Sequence, residues 1–421
     1  MSRALYVAPP LFVVFIDAMA VAVLAPVLAP LVENPPPDGL MSDLSPSARS
    51  LVYGIALGIQ PLLVVCSAPL LGQLSDKLGR KILMLFTMIG LGLSNIGIGL
   101  AISSGWVFFL IVSRIIVGLT AGNQAIAQAA MVDVSPPEKK AFYLSLALLF
   151  SSLGFLVGPL LGGWLADSSL VPWFQPHLPF YVLGILSALT VAQIALFFPE
   201  TQHATSASDS PGAIDLMAGF RSLADSFRDQ SIRRISFTFL LMQMAWASYF
   251  LFLPTFLVAT EGFSQAEIGT FMAVMGAGFC VSYGVGLPVL AKFWSATAIT
   301  RWGLLLTAAG MLGGPLAGRG VLQWLVLVPT GFVVSIAYGA ILTLYSDAVD
   351  ASQQGRILGI SIAVVNLAWG LISIVSGYLT AVSAWAPIGV AAGLMVLSFL
   401  VALTLRPVDR EADAPQPNSG A

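Results

Sequence analysis

Runs of mostly apolar residues, each long enough to form a membrane-spanning helix, recur along nearly the whole chain. A helix crosses the hydrocarbon core of a bilayer when it holds about 20 such residues. Hydrophobic residues make up 57% of the 421 residues and charged residues only 9%, whereas a soluble domain carries about 25% charged residues. We therefore predict an all-α membrane protein with twelve transmembrane helices. The predicted spans are 9–32, 50–74, 82–102, 106–131, 141–166, 179–198, 235–259, 266–291, 298–317, 321–345, 356–382 and 385–405.

The few charged and metal-binding residues exclude several other classes of protein. The net charge of −2 gives no sign of nucleic-acid binding, and the two histidines and two cysteines form no cluster with metal-ligand spacing. We therefore expect no metal, no cofactor and no nucleic-acid partner. An intramembrane enzyme would need paired catalytic groups inside the bilayer, but no histidine lies in a predicted span. The phosphate-binding loop GxxxxGK(S/T) is absent, so we expect neither an enzyme nor direct use of ATP.

Lysine and arginine residues are distributed very unevenly between the two sides of the predicted bundle. With the N-terminus inside, fifteen of the 18 fall on the cytoplasmic side, Arg49 and Arg319 fall outside, and Arg114 lies within a span. Short loops rich in lysine and arginine stay in the cytoplasm. We therefore predict a multi-pass protein of a bacterial-type cytoplasmic (inner) membrane, with both termini cytoplasmic, embedded in lipid as a monomer.

The longest polar segment divides the chain into two halves. It separates six predicted spans from six, and apolar residues recur within it at helical spacing beside Arg221 and Arg228. This pattern predicts a short amphipathic helix on the cytoplasmic membrane face. The predicted units are an N-terminal six-helix bundle (1–199), a cytoplasmic linker with this helix (200–233), a C-terminal six-helix bundle (234–406) and a disordered cytoplasmic tail (407–421).

The two halves also resemble each other weakly in sequence. An offset of 214 residues maps Cys66 onto Cys280 and Gly72 onto Gly286. Six-plus-six repeats of this kind are an architecture of secondary transporters, in which the substrate binds between the halves near the middle of the bilayer. The repeat therefore predicts two pseudo-symmetric bundles and a central site.

The loop between spans two and three carries the most specific motif. It reads Gly-Gln-Leu-Ser-Asp-Lys-Leu-Gly-Arg-Lys from Gly72, and it resembles the signature loop of the major facilitator superfamily. The resemblance implies that Asp76 and Arg80 join an acid at the end of span four, here Asp133, and latch the halves in the outward-open state. Gly79 permits a tight turn. A loop that only fixes topology would explain the basic residues but not the glycines or the acid.

Span five contains a ridge of small residues. Gly154, Gly158 and Gly162 lie four apart, so that another helix can pack closely, and Pro159 removes a backbone donor. With Gly163, the pattern resembles the motif of the superfamily's drug:proton antiporters. The resemblance implies antiport rather than symport or uniport.

Span four contains an arginine about eight residues from its predicted start. Charged residues inside a membrane are costly and usually functional. On a continuous helix, Arg114, Thr120, Gln124 and Gln128 would share one side, which should face water or protein. The arrangement resembles the superfamily's fourth-span motif, whose arginine assists proton coupling.

Asp17 is the only acidic residue well inside a predicted span. A carboxyl group buried without a partner can take up and release a proton near neutrality. The alternative is a static ion pair with Arg114. The segment from Phe15 to Met19, with the following proline, resembles span one of tetracycline exporters, although spans eight and nine lack the buried His and Asp of those exporters.

The family fold implies that spans one, four, seven and ten line a central cavity. The predicted lining is aromatic and rich in amides, which suits a flat, amphiphilic, neutral or weakly cationic molecule. We therefore predict a proton-coupled exporter of amphiphilic organic compounds, or alternatively a metabolite or siderophore carrier, which could be an importer. Helix packing remains an alternative role for each aromatic residue. The candidate cavity residues are Asn123, Gln124, Gln128, Gln243, Trp246, Phe250, Tyr338, Asn366 and Trp369.

Overall fold

A computed structural model describes residues 4–201, 215, 217–350 and 353–405. The predicted tail 407–421 and residues 202–214 of the predicted linker lie outside these residues. The described chain is built from α-helices. They are α1 (Ala4–Glu33), α2 (Pro46–Leu78), α3 (Arg80–Ser104), α4 (Val107–Leu119), α5 (Asn123–Val134), α6 (Lys140–Ala166), α7 (Leu178–Phe197), α8 (Ala218–Arg228), α9 (Arg233–Glu261), α10 (Gln265–Val281), α11 (Leu287–Leu290), α12 (Ala296–Ala317), α13 (Val321–Asp347), α14 (Gln354–Thr380) and α15 (Trp385–Ala402).

These helices form the twelve predicted spans in order. Span four consists of α4 and α5, and span eight consists of α10, a π-helical turn at Ser282–Gly286 and α11. Eleven of the spans are both long enough and apolar enough to cross a membrane. The other one, span nine (α12), has 22 residues, but its glycines, threonines and Arg301 make it less apolar.

Each half is held together by close helix pairs. In the N-terminal half α1 packs along α6 and α3 packs along α7, and in the C-terminal half α9 packs along α15 and α12 along α13. The halves meet mainly through α2 against α14 and α6 against α10, with α1 touching α9. The seam between the halves is therefore lined by spans one, two, five, seven, eight and eleven.

The two halves touch at one end of the bundle, and a glycine of span two at the other end has open space beside it. We call the end that carries residues 75–81 and α8 the linker side, and the opposite end the far side. Near the far side the backbones of Gly54 and Gly377 are in contact, and so are those of Gly163 and Gly269. On the linker side, no atom of the described residues lies within 4 Å of a side chain added at Gly72. The molecule is closed at its far side.

The linker helix α8 spans the two halves on the linker side. It contacts α2 of the first half and both α9 and α14 of the second. Gly219 packs directly on the backbone of Val65. Gln73 exchanges two hydrogen bonds with the backbone of Asp215, at 3.0 and 3.3 Å. Leu223 of α8 is buried in these contacts, whereas Phe220 is exposed.

Candidate functional site

Asp17 lies in the middle of α1, where its carboxylate meets the amide of Asn123. The Asn123 Nδ2 donates to Asp17 Oδ1 at 2.8 Å, and Asn123 is only 2% exposed. The other amide atom, Oδ1 of Asn123, is buried without a hydrogen-bond partner in the described part of the chain. Asn123, predicted as a substrate-cavity residue, thus contacts the carboxylate directly.

Arg114 approaches Asp17 without pairing with it. Its Nε donates to the backbone carbonyl of Ala56 in α2 at 2.7 Å, and the side chain is 6% exposed. Asp17 and Arg114 line one small cavity together with Gln60 and Asn95. Among the described ion pairs none joins the two, so the static pair considered from the sequence is not formed in this state.

Span four is broken between Arg114 and Asn123. Helix α4 ends at Leu119 and α5 begins at Asn123. At the break, the hydroxyl of Ser67 in span two donates to the carbonyl of Gly118 at 2.6 Å. The Ile116 carbonyl accepts from both the backbone N–H and the hydroxyl of Thr120, at 3.0 and 2.9 Å. Irregular backbone inside a membrane persists where protein groups satisfy it in this way.

The break makes one expectation from the sequence wrong. Arg114, Thr120, Gln124 and Gln128 do not share a side, because the helical wheel assumed an unbroken span. Arg114 contacts span two, and the Thr120 side chain lies against Gly90 of span three. Gln124 instead donates to Ser151 of span five at 3.4 Å. Gln128 is half-buried.

The signature loop brings its three predicted charges together. Arg80 pairs with Asp76 at 2.6 Å and with Asp133 at 3.2 Å. It also donates to Ser75 Oγ at 3.0 Å. All of these groups belong to the N-terminal half, so in this state the network ties span two to span four within one bundle.

Gly79 occupies a backbone conformation that other residues rarely adopt. Its φ is 104°, and a side chain there would strike the carboxylate of Glu200. Glu200 accepts from the backbone N–H groups of Lys81 and Thr201. Sequence reasoning missed Glu200, although it is an acid placed directly after span six and on the same predicted side as the loop.

The glycine ridge of span five packs on span one. Side chains added at Gly154, Gly158 or Gly162 would meet the backbone or Cβ atoms of α1 between Phe15 and Val23. Gly163 faces away from this ridge and contacts Gly269 of span eight across the seam. The Pro159 carbonyl also faces Gly269. The motif therefore fixes the helix that carries Asp17 and also brings the halves together.

Five aromatic rings form a cluster at the seam. Trp246 lies 5.7 Å from Phe250 and 5.9 Å from Phe279, ring centroid to centroid, and Phe250 lies 6.2 Å from Trp369 and 6.3 Å from Phe155. The indole N–H of Trp369 is buried and, within the described residues, has no acceptor. Phe155 and Phe279 were not predicted, because neither belongs to the spans that the family fold assigns to the cavity.

Three further predicted cavity residues do not belong to this aromatic cluster. Gln243 is buried, and Tyr338 stacks at an angle on Phe239 with centroids 5.5 Å apart. Asn366 donates to the carbonyl of Ile362 in its own helix. No group of His, Cys, Asp or Glu side chains able to hold a metal ion occurs among the described residues.

Two bundles of six helices around a carboxylate in the middle of a span and an aromatic seam define a multi-pass transporter of the secondary type. The chain belongs to the Major Facilitator Superfamily, whose family model matches residues 11–371. It is 29% identical over 373 residues to the class D tetracycline resistance protein of Salmonella ordonez, covering 85% of each chain.

Solved structures share the fold at low sequence identity. The human organic anion transporter MFSD10 is 20% identical with a TM-score of 0.65, and the match covers 96% of this chain and 100% of that one. The xylose transporter XylE from E. coli, in a partially occluded inward-open conformation, is 14% identical with a TM-score of 0.74, over 96% and 98% of the two chains.

Proposed function

We propose that this transporter exports amphiphilic organic compounds in exchange for protons, by alternating access between its two halves. The observation that carries the proposal is Asp17, a carboxyl group in the middle of a span that accepts a hydrogen bond from Asn123 and has no described ion-pair partner. A charged carboxylate is costly inside a membrane-spanning bundle, and the uptake of a proton removes this cost.

The coupling step follows from the two charge states of Asp17. The ionised carboxylate accepts from Asn123 and faces the same cavity as Arg114. A protonated carboxyl keeps one acceptor oxygen and gains an O–H donor, for which the unpartnered Oδ1 of Asn123 is a nearby acceptor. Proton binding from outside therefore changes the contact between spans one and four, and substrate binding favours the other state.

In the proposed rocking motion, different contacts close the far side and the linker side of the bundle. The far side is closed by the pairs Gly54–Gly377 and Gly163–Gly269. The loop with Arg80 would close the linker side in the other state, as the family resemblance implies. The lysine and arginine distribution predicts that the linker side is cytoplasmic. The state that is closed at the far side would then be open to the cytoplasm, in a bacterial-type inner membrane.

The aromatic cluster indicates the chemistry of the substrate. It offers flat apolar faces and, as a donor, the indole N–H of Trp369, which has no acceptor among the described residues. Aromatic faces attract flat and weakly cationic molecules. Several curated relatives are named tetracycline resistance proteins, which supports efflux of a multi-ring compound.

The test is transport driven by an imposed pH gradient in proteoliposomes, with ethidium as the probe. We expect the Asp17→Asn variant to lose gradient-driven ethidium transport while still binding ethidium. The matched control is Asp43→Asn, which neutralises an exposed acid on the far side. Full gradient-driven transport by Asp17→Asn would overturn the proposed coupling.

The second candidate is a metabolite or siderophore carrier of the same fold, which could be an importer. Arg114, buried inside a span, could balance the charge of an anionic substrate. The relatives of this chain include major facilitator superfamily domain-containing protein 10 of mouse and cattle. Uptake of an organic anion that depends on Arg114, with no ethidium export, would favour this candidate.

A further inference from the structure

Asp167 lies at the far end of span five, outside the machinery described so far. It follows the last residue of α6, and its carboxylate is 7% exposed. Oδ1 accepts from the backbone N–H and the hydroxyl of Ser169, at 3.0 and 2.6 Å. Oδ2 crosses the seam and accepts from the backbone N–H of Ala266 at 3.1 Å.

Ala266 lies in the first turn of span eight, in the other half. The first backbone N–H groups of a helix have no partner within the helix, and a negative charge there is favourable. Two backbone N–H groups at this helix start find partners within the same half. Glu267 N–H donates to Ser264 Oγ, and Ser264 N–H donates to the Glu267 carboxylate. The N–H of Ala266 is satisfied by Asp167 instead. One half therefore caps a helix of the other half.

Two neighbouring contacts confirm that the helices meet closely at this point. Gly163 and Gly269 bring the backbones of spans five and eight together. The indole N–H of Trp164 donates to Thr270 Oγ at 3.0 Å, also across the seam. If the far side opens, all of these contacts break together, and the Asp167 carboxylate and the Ala266 N–H must both be hydrated again.

We infer that Asp167 is a positioning residue that holds the far side closed by capping span eight from the opposite half. This inference rests on the rocking motion of the proposed function, but not on its substrate or its coupling ion. Asp167 is distinct from Asp17, which we propose to carry the proton. It sets the balance between the two states of the transporter.

The charge of Asp167 is constant over the working pH range. Burial raises the pKa of the carboxyl, but hydrogen bonds from Ser169, Ala266 and Ser264 outweigh burial and hold the pKa below its ordinary value. Glu267 and Arg319, the charged groups of the neighbouring elements, pair with each other. The contact therefore acts as a fixed latch, and proton binding at this position is not needed for its release.

The experiment measures the distance between the halves at the far side. Spin labels at Ser104→Cys and Ser383→Cys, both exposed far-side positions in opposite halves, are placed in a full-length chain with Cys66 and Cys280 replaced by alanine. The protein is reconstituted in lipid nanodiscs. Distance distributions are compared between the parent, Asp167→Asn and the control Ser169→Ala, which removes a donor from within the same half.

We expect Asp167→Asn to raise the ratio of open to closed far-side populations about tenfold or more, because the negative charge is lost and one of the two acceptor oxygens becomes an NH2 group, which cannot accept. Ser169→Ala should change this ratio much less. Ala266→Pro provides a second variant, since it deletes the N–H itself at a first-turn position that tolerates proline. The double variant should show no further increase beyond either single change.

The readout separates a latch from a merely structural role. A residue needed only for folding would lower the melting temperature without moving the distance distribution. Unchanged distributions in both Asp167→Asn and Ala266→Pro would overturn the inference. A failed ethidium assay with a clear distance shift would refute the proposed export and leave the latch in place.

Discussion

A methyl group added at Gly54 should push the halves apart at the far side. Gly54 of span two lies against Gly377 of span eleven, and a Cβ there would be 2.7 Å from the Gly377 Cα and 2.7 Å from the Ser373 carbonyl oxygen. Both neighbours are backbone atoms, so neither can rotate away. Moving from 2.7 Å to the 3.4 Å at which ordinary contact begins needs a displacement of about 0.7 Å.

The size of the effect follows from the cost of overpacking. Extra atoms forced into a packed interior cost roughly 1–3 kcal/mol, and about 1.4 kcal/mol corresponds to a tenfold change in an equilibrium constant. Because the strain exists only in the state closed at the far side, Gly54→Ala should shift the equilibrium toward the open state by roughly 5- to 150-fold.

The assay is the Ser104–Ser383 spin-label distance in nanodiscs. Gly389→Ala is the matched control, because no atom of the described chain lies within 4 Å of a side chain added at Gly389. Both substitutions gain the same helix propensity of about 0.8–1.0 kcal/mol, so this contribution cancels. If Gly54→Ala gives the same distance distribution as Gly389→Ala, the seam at Gly54 does not limit far-side closure and the reasoning fails.

Four further outcomes test other parts of the site. Asn123→Ala removes the amide that donates to Asp17, so pH-driven ethidium transport should fall at least tenfold, while Gln124→Ala should retain most of it. The depressed pKa of Asp167 means that its contribution to far-side closure is complete above its ordinary pKa of 3.8 and is lost only below it; in the Asp17→Asn background, the spin-label distances should therefore not change between pH 5 and 8. Arg80→Gln loses its pairs with both acids, and labels on the linker side should report a smaller closed population. Phe250→Ala removes contacts with three rings and should weaken ethidium binding about tenfold, measured by fluorescence titration.

The twelve spans and their division into halves could be predicted because hydrophobicity and length alone determine them. The pairing of Arg80 with Asp76 was also predictable, since both lie in one loop and are near each other in sequence. Asp133 lies 53 residues from Arg80, and it was predicted through the family resemblance alone. In this network the sequence provided the partners, and the structure added Ser75 as a further acceptor.

The break in span four could not be predicted from the sequence. Residues 107–134 are continuously apolar enough to read as one helix, and the Thr120–Gly122 segment contains no proline. What stabilises the break is a hydroxyl from another span, Ser67, bonded to Gly118. Periodicity describes contacts within one helix and carries no information about a partner more than fifty residues away.

The Asp167 contact was missed for a similar reason. Its carboxylate lies just beyond a recognised motif, where a polar residue suggests only the end of a span. Its partner is a backbone N–H of the other half, which leaves no trace in side-chain pattern. The aromatic cluster was found in part, because Phe155 and Phe279 lie in spans five and eight rather than in the expected lining.

Because span four is interrupted, the two neighbours of Asp17, Arg114 and Asn123, lie on separate helices, α4 and α5. Arg114 is fixed to the longer piece, which is tied to span two through Ala56, while Asn123 opens the shorter piece of twelve residues. A small rotation of α5 would move the Asn123 amide relative to the Asp17 carboxylate and leave the Arg114 guanidinium in place. A conformational change at the centre of the transporter can thus begin in the short helix α5, before either six-helix bundle moves.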